Sequence, residues 1–114
     1  MNLLVIGSTG YIGKALLAEL IQLNFNISIA VRQKTNFFPD EIKQFIVGNF
    51  ESDPDFSASL AEVDCIIHLA GKAHVIDKDK ALDIDSFRKI NTTLTLNLAK
   101  SAVEAKVKRF IFLS

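Results

Sequence analysis

The chain is 114 residues long, one domain on the usual size scale, so a single core without a linker is expected. Thirteen Lys and Arg balance thirteen Asp and Glu, and 49% of residues are hydrophobic. That composition excludes a disordered chain, and it excludes a whole-domain field that would attract nucleic acid or an anionic membrane. The single cysteine, Cys65, excludes an internal disulfide and offers no cysteine metal cluster. Every apolar run falls short of the roughly 18 residues that a membrane span needs, and Met1 to Ile6 lacks a basic leader. A cytoplasmic protein with neither nucleic acid nor membrane as partner is expected.

Short apolar runs alternate with helical patterns. Leu3 to Ile6 is strand-like. Tyr11 to Leu23 places Ile12, Leu16, Leu17, Leu20 and Ile21 on one helix face, and Asn24 can end that helix in a left-handed conformation. Ile27 to Val31 and Phe45 to Val47 read as the second and third strands, with a loop or single turn over Arg32 to Gln44 between them. Asp53-Pro54 reads as an N-cap and first-turn proline opening a short helix through Leu60. Cys65 to Ala70 is a fourth strand. Ser86 to Ala105 is a long helix with the stripe Phe87, Asn91, Leu94, Leu98, Ala102 and Ala105. Phe110 to Leu113 is a fifth strand.

Strands that are continuously apolar are buried on both faces, with helices as cover. Strand–helix alternation then implies right-handed crossovers and a parallel sheet. The expected fold is α/β: a Rossmann-type three-layer domain with an open parallel sheet of about five strands in the order 3-2-1-4-5.

Gly7-Ser8-Thr9-Gly10-Tyr11-Ile12-Gly13 joins the first strand to the first helix. Gly7 permits the turn off the strand, Gly10 lets backbone approach a pyrophosphate, and Gly13 lets the helix pack close to the sheet. The first-turn N–H groups and the positive end of the helix dipole would face the phosphates. A glycine-rich turn that merely connects two elements is the bland alternative. Gly13-Lys14 is followed by Ala15, so the loop of nucleoside triphosphatases does not fit.

The G-x-x-G-x-x-G spacing resembles the extended short-chain dehydrogenase/reductase family, and within it the NAD(P)-dependent nucleotide-sugar epimerases and dehydratases of the UDP-glucose 4-epimerase type. The resemblance spans the chain. Asp64-Cys65-Ile66-Ile67-His68-Leu69-Ala70-Gly71 is similar to the family's D-x-V-x-H-L-A-A/G segment. Asn91 with Thr92 and Leu94 is similar to its N-x-x-G-T helix, without the glycine. Val107 to Ser114 is similar to its V-K-R-F-V-Y-x-S strand. Asn49 departs from the Asp often found after a glycine there.

The resemblance implies a dinucleotide site. Gly7, Thr9, Gly10, Tyr11, Ile12 and Gly13 would form the phosphate turn, with the Tyr11 and Ile12 amides over the pyrophosphate. Asn49 and Phe50 would lie at the adenine, and Asn49 still offers a donor and an acceptor. Leu69, Ala70 and Gly71 would line the nicotinamide ribose. Asn91 would order residues around the reaction centre, or equally tie two backbone segments together as a buried amide. At the end of the second strand Val31 stands where NAD-type members carry Asp. Arg32 and Lys34 could hold a 2′-phosphate, which favours NADP over NAD; a solvated basic loop is the alternative.

Other residues read as structural. His68 is a packed, hydrogen-bonded histidine, His74 a loop residue, Cys65 a buried inert thiol, Asp64 a cap on the strand entrance and Lys72 a surface lysine. The family's chemistry uses Ser or Thr, Tyr, and Lys four residues beyond that Tyr. The sole tyrosine here is Tyr11, in the glycine turn, and Lys14 is three residues on. Ser114 matches the first of the family's serine pair. No catalytic residue and no metal ligand is therefore assigned. The expected reading is one dinucleotide-binding domain over 1–114 that stops short of the catalytic and sugar-binding parts and is inactive alone. Its parent would move a hydride on a nucleotide-sugar substrate. The alternatives are a non-catalytic NAD(P)-binding regulatory module or a related reductase of the same family. Self-association through the apolar edge strand 110–113 is also expected.

Overall fold

The computed structural model describes residues 1–69 and 89–113. The elements are β1 (Asn2–Ile6), α1 (Tyr11–Gln22), β2 (Asn26–Val31), β3 (Lys43–Ile46), β4 (Cys65–His68), α2 (Thr95–Glu104) and β5 (Arg109–Phe112). All five strands run parallel in the order β3-β2-β1-β4-β5. This is the expected Rossmann-type topology. Among the described residues no helix is long and apolar enough to cross a membrane.

β1 is the centre of the sheet. Leu3 pairs with Ile27 on one side and Cys65 on the other, and Ile6 pairs with Ala30 and His68. Because side chains alternate along a strand, the apolar run of β1 feeds two cores. Leu4 and Ile6 join Ile66, Phe56, Leu94, Leu98 and Ala102 on the α2 face. Leu3 and Val5 join Leu17, Leu20, Ile29 and Ile67 on the α1 face. The fully buried Leu4, Val5 and Ile6 therefore hold both layers to the same strand.

At the amino ends of the strands, Asp64 fastens three chain segments together. Its carboxylate accepts the Asn2 N–H at 2.8 Å, its N–H donates to the Asn2 carbonyl at 2.9 Å, and its own carbonyl accepts from Lys108 and Arg109, both at 3.1 Å. This is the strand cap expected of it, at the end of the sheet remote from the glycine turn.

Asn24 takes the left-handed conformation after α1, with φ 60°. Between β2 and β3 the chain is a loop, held by Gln44, whose amide accepts the Thr35 N–H at 2.9 Å and donates to the Thr35 carbonyl at 2.8 Å. Buried Ile42 and half-buried Phe38 from this loop cover the α1-side core where a crossover helix would otherwise lie.

Several expectations need correction. The short helix from Asp53 to Leu60 is replaced by a 3₁₀ turn over Phe50–Ser52 and a series of turns after it. Asp53 precedes a proline, which disfavours right-handed helical geometry, and it adopts φ 55° instead. The local cap is Asp55, whose carboxylate accepts both the N–H and the hydroxyl of Ser57. The long helix near the end of the chain is helical from Lys89 in its described part, but Lys89–Leu94 forms a π-helical stretch before α2. Asn91, Thr92 and Thr93, poor formers of ordinary helix, fall in that widened turn. Leu94, Leu98 and Ala102 bury as expected, whereas Ala105 is exposed as the C-cap. Ile12, placed on the buried face of α1, is 55% exposed because the first turn projects past the end of the sheet. Ala70, Gly71, Lys72, His74, Phe87, Ser114 and the Asn91 side chain lie outside the described residues.

Candidate functional site

The order β3-β2-β1-β4-β5 makes the chain leave β1 toward β2 and return across β1 to β4. The switch point is the carboxyl end of β1, where a crevice opens in such sheets. The Leu69 N–H donates to the Ile6 carbonyl at 2.7 Å, so the end of β4 lies directly beside the start of the glycine turn.

Gly7 has φ 90°, a conformation that L side chains rarely adopt. The turn closes with the Gly10 N–H on the Gly7 carbonyl at 3.3 Å, and α1 begins with the Lys14 N–H on the Gly10 carbonyl at 3.0 Å. Gly10 is the N-cap, and no side chain caps the helix. The first-turn amides of Tyr11, Ile12 and Gly13 precede the first helical donor, so they are available to an acceptor from outside. No acidic side chain occupies that first turn, which leaves its positive dipole end uncompensated.

The glycines do different things. A Cβ on Gly13 would stand 2.3 Å from the Gly7 carbonyl oxygen and 2.6 Å from Ser8 Cα. The helix can press this closely on the turn only with glycine there. A Cβ on Gly10 would meet only the Gly7 oxygen, at an ordinary 3.5 Å. Folding therefore does not require glycine at position 10. What a side chain there would fill is open space at an uncapped helix N-terminus, the room a pyrophosphate needs. The residues present fit such a group.

The remaining candidates surround this point at the carboxyl edge. Thr9 is exposed, and the Tyr11 side chain is 93% exposed, so Tyr11 contributes through its amide. Val31 is buried at the end of β2 and Arg32 and Lys34 follow it, both exposed. Beyond β3, Gly48 turns with φ 80° and leads to exposed Asn49. Phe50 packs on the α2-side core, its ring 6.5 Å from that of Phe56, so it offers backbone rather than a free ring. Leu69 is half-buried at the end of β4.

Two residues of this region escaped the sequence reading. Ser8 is 1% exposed, and its hydroxyl has no partner among the described residues. Lys14 places its ammonium 3.7 Å from the centroid of the Phe37 ring. Its partner lies 23 residues away in an irregular loop, which no periodicity reveals.

His68 is fully buried at the end of β4. Its Nε2 lies 2.9 Å from Thr95 Oγ1, and its ring sits against Phe110 and Phe112, with centroids 6.1 and 5.1 Å away. Burial pushes the imidazole down to about 4 from its ordinary 6.5. It is therefore neutral at physiological pH and joins β4 to the start of α2, the packed, hydrogen-bonded role expected of it. Burial also pushes the Cys65 thiol up, against a smaller opposing influence of Arg109 and with a small addition from Asp64. A raised thiol in the core is inert.

The sequence matches the family model described as the NAD dependent epimerase/dehydratase family over residues 3–114. The chain belongs to that family. It is 37% identical to UDP-glucose 4-epimerase of Vibrio cholerae over 114 residues, 99% of this chain and 34% of that protein. It is 30% identical to the photosystem II assembly factor Ycf39 of Guillardia theta, over 100% of this chain and 35% of that protein. The chain thus spans about a third of the length of the curated relatives it matches. Its fold matches that of the Thermus thermophilus UDP-glucose 4-epimerase, solved with NAD, with a TM-score of 0.81, 21% identity, and coverage of 96% of this chain and 36% of that one.

Substitution at the two glycines should separate folding from binding. Gly13→Ala forces backbone apart and is expected to destabilise the fold by about 1–3 kcal/mol or more. Gly10→Val should cost about 1 kcal/mol as a poorer N-cap, yet weaken dinucleotide binding by about tenfold or more. Urea melts and calorimetric titration of both variants check this, and normal binding by Gly10→Val would place the site elsewhere.

His68 also sets a pH dependence. Its folded pKa lies below its unfolded value, so the unfolded chain binds the extra proton. Stability is full above about pH 6.5 and falls as the pH drops toward 4. The loss approaches about 3 kcal/mol at one pKa unit per 1.36 kcal/mol. Urea melts between pH 7 and pH 4 should show this slope in the native chain and a shallower one in His68→Gln.

Proposed function

We propose that the chain furnishes the dinucleotide-binding part of a cytoplasmic enzyme of the nucleotide-sugar 4-epimerase or dehydratase kind. The observation that carries this is the turn: Gly13 is required by backbone packing, while Gly10 is kept small beside an uncapped helix N-terminus. Family membership and the NAD held by the Thermus enzyme support the same reading. When bound, the nicotinamide supplies hydride acceptance and return. The residues of this chain bind and orient: the Gly10–Gly13 turn takes the pyrophosphate, Asn49 and the Phe50 backbone face the adenine, and Leu69, Ala70 and Gly71 line the nicotinamide ribose. Asn91 orders the residues around the reaction centre.

A proton shuttle of Tyr and Lys is not among these 114 residues, since the one tyrosine is Tyr11. In this reading residues 1–114 are one binding unit, and the shuttle and the sugar contacts belong to chain outside it. The sugar-nucleotide part of this reading rests on the similarity to the Vibrio UDP-glucose 4-epimerase. A second reading, a non-catalytic dinucleotide-binding module, is favoured by the match to the assembly factor Ycf39. The end of β2 offers cations and no acid, which supports NADP over the NAD of the Thermus enzyme.

Calorimetric titration of the 114-residue chain with NADPH, NADH and UDP-glucose tests the reading. Dinucleotide binding, tighter for NADPH, with no turnover of UDP-glucose is expected. Absence of dinucleotide binding overturns the site. Turnover of UDP-glucose by this chain alone overturns the division of labour.

We also infer self-association of the isolated chain. Among the described residues β5 pairs with β4 alone, and Ile111, Phe112 and Leu113 are 51%, 44% and 50% exposed. An exposed apolar parallel edge is a template for pairing with a second copy. Sedimentation across a concentration series should show association that Ile111→Lys suppresses. A monomer throughout would show that the edge is protected.

A further inference from the structure

Gly48 and Asp53 bracket the turn that follows β3. Both take left-handed backbone, with φ 80° and 55°. Between them the Ser52 N–H donates to the Asn49 carbonyl at 3.1 Å, and the Phe50 side chain packs on the α2-side core. The Val47 N–H donates to the Val31 carbonyl at 2.9 Å, so the turn leaves the sheet beside the end of β2. In the dinucleotide reading, Asn49 and the Phe50 backbone of this turn face the adenine.

The two ends of the turn are not equivalent. Glycine adopts positive φ without steric cost, and nothing lies within 4 Å of where a Gly48 Cβ would stand. Asp53 has a Cβ and precedes Pro54, which narrows its choice of backbone further. A residue in such a conformation keeps it only when its surroundings hold it there, and such residues gather at ligand clamps. What holds Asp53 is Asn97, whose side-chain amide donates to the Asp53 carboxylate across 44 residues of sequence. Asn97 lies in the first turn of α2, and the flanking Leu94 and Leu98 are 2% and 0% exposed. The helix is thus the fixed partner and the turn the held one. Asp53 is exposed and Asn97 half-buried, and a hydrogen bond at the surface adds modestly to folding. Its effect is local: it sets the shape of the turn.

We propose that Asn97 is a positioning residue for the adenine end of the dinucleotide: by holding Asp53 it keeps the Asn49–Ser52 turn in the shape that receives the base. This rests on the dinucleotide reading above and adds to it a residue that touches no ligand. Without the pair, the turn pivots about Gly48 and spends part of its time in other shapes. Affinity then falls in proportion to the fraction of binding-competent turn. The pyrophosphate end is spared, because the Gly10–Gly13 turn is tied to β1 and not to Asp53.

The test uses the native chain, Asn97→Asp and the swapped pair Asp53→Asn/Asn97→Asp. NADPH is titrated by calorimetry, inorganic pyrophosphate by the amide shifts of Tyr11, Ile12 and Gly13, and melting midpoints serve as the folding control. Asn97→Asp sets two carboxylates against each other. It should weaken NADPH by roughly tenfold, the loss when the turn keeps its binding shape about a tenth of the time, while pyrophosphate binds as it does to the native chain. The swap again faces a donor with a carboxylate, and asparagine tolerates left-handed backbone as aspartate does. It should bring the NADPH constant back to within about twofold of the native value. An unchanged NADPH constant in Asn97→Asp would overturn the positioning role and leave the dinucleotide site standing. Equal weakening of NADPH and pyrophosphate, or a swapped pair that binds NADPH as weakly as Asn97→Asp, would overturn it as well. A native chain that binds neither NADPH nor pyrophosphate would remove the dinucleotide reading and the proposal together.

Discussion

The structure depends on a contact with no side chain in it. At Gly13 the first turn of α1 rests on the backbone of Gly7 and Ser8, so closely that a single methyl group would lie 2.3 Å from a carbonyl oxygen. That contact fixes where the helix begins and where its axis points. It brings an uncapped N-terminus to the carboxyl end of β1, the place where the sheet order reverses. Free amides and a positive dipole end then meet at the mouth of the crevice. The packing constraint and the binding feature are one piece of geometry, although they fall on different glycines.

The sheet supports this by burying its central strand β1 on both faces. Leu3 and Val5 point to α1, Leu4 and Ile6 to α2, and the strand between them cannot shift without opening both cores. A one-residue slip would exchange the two faces. Asp64 locks the opposite end of the same strand, through backbone groups of Asn2, Lys108 and Arg109. The result is a platform whose carboxyl edge carries the irregular segments: the glycine turn, the Arg32 loop and the Asn49 turn. His68 belongs to the platform and not to the chemistry. Its neutral ring, bonded to Thr95, joins β4 to α2 just below the crevice.

Much of this was legible in the sequence, because local signals and tertiary structure agree. The runs Leu3–Ile6 and Cys65–His68 are too short and too apolar to be anything but doubly buried strands in this alternation. Asn24 closes α1 as its left-handed tolerance allows. The strand order follows from the dinucleotide-binding type of sheet, to which the glycine turn after the first strand points. Failures came where one local signal opposed another. Asp53-Pro54 resembles a helix start, but a residue before proline avoids the helical region, and Asp55 two residues later competes as the cap. Ile12 fits the stripe of α1 by spacing, yet it lies beyond the end of the sheet that would bury it. Contacts between distant segments were not legible at all. Nothing in local pattern joins Lys14 to Phe37, His68 to Thr95, or Asn97 to Asp53, where the side chains meet across 44 residues.

The central claim is that the Gly10–Gly13 turn receives the pyrophosphate of a dinucleotide. Amide chemical shifts of the isotopically labelled chain, followed during titration with NADPH, test it most directly. The account predicts that the largest shifts fall on the N–H groups of Tyr11, Ile12 and Gly13. Smaller shifts should appear at Arg32, Asn49 and Leu69, with the amino-end residues Asn2 and Asp64 unmoved. Saturating ligand that leaves the turn amides in place, or that moves amides at the amino ends of the strands, would contradict it.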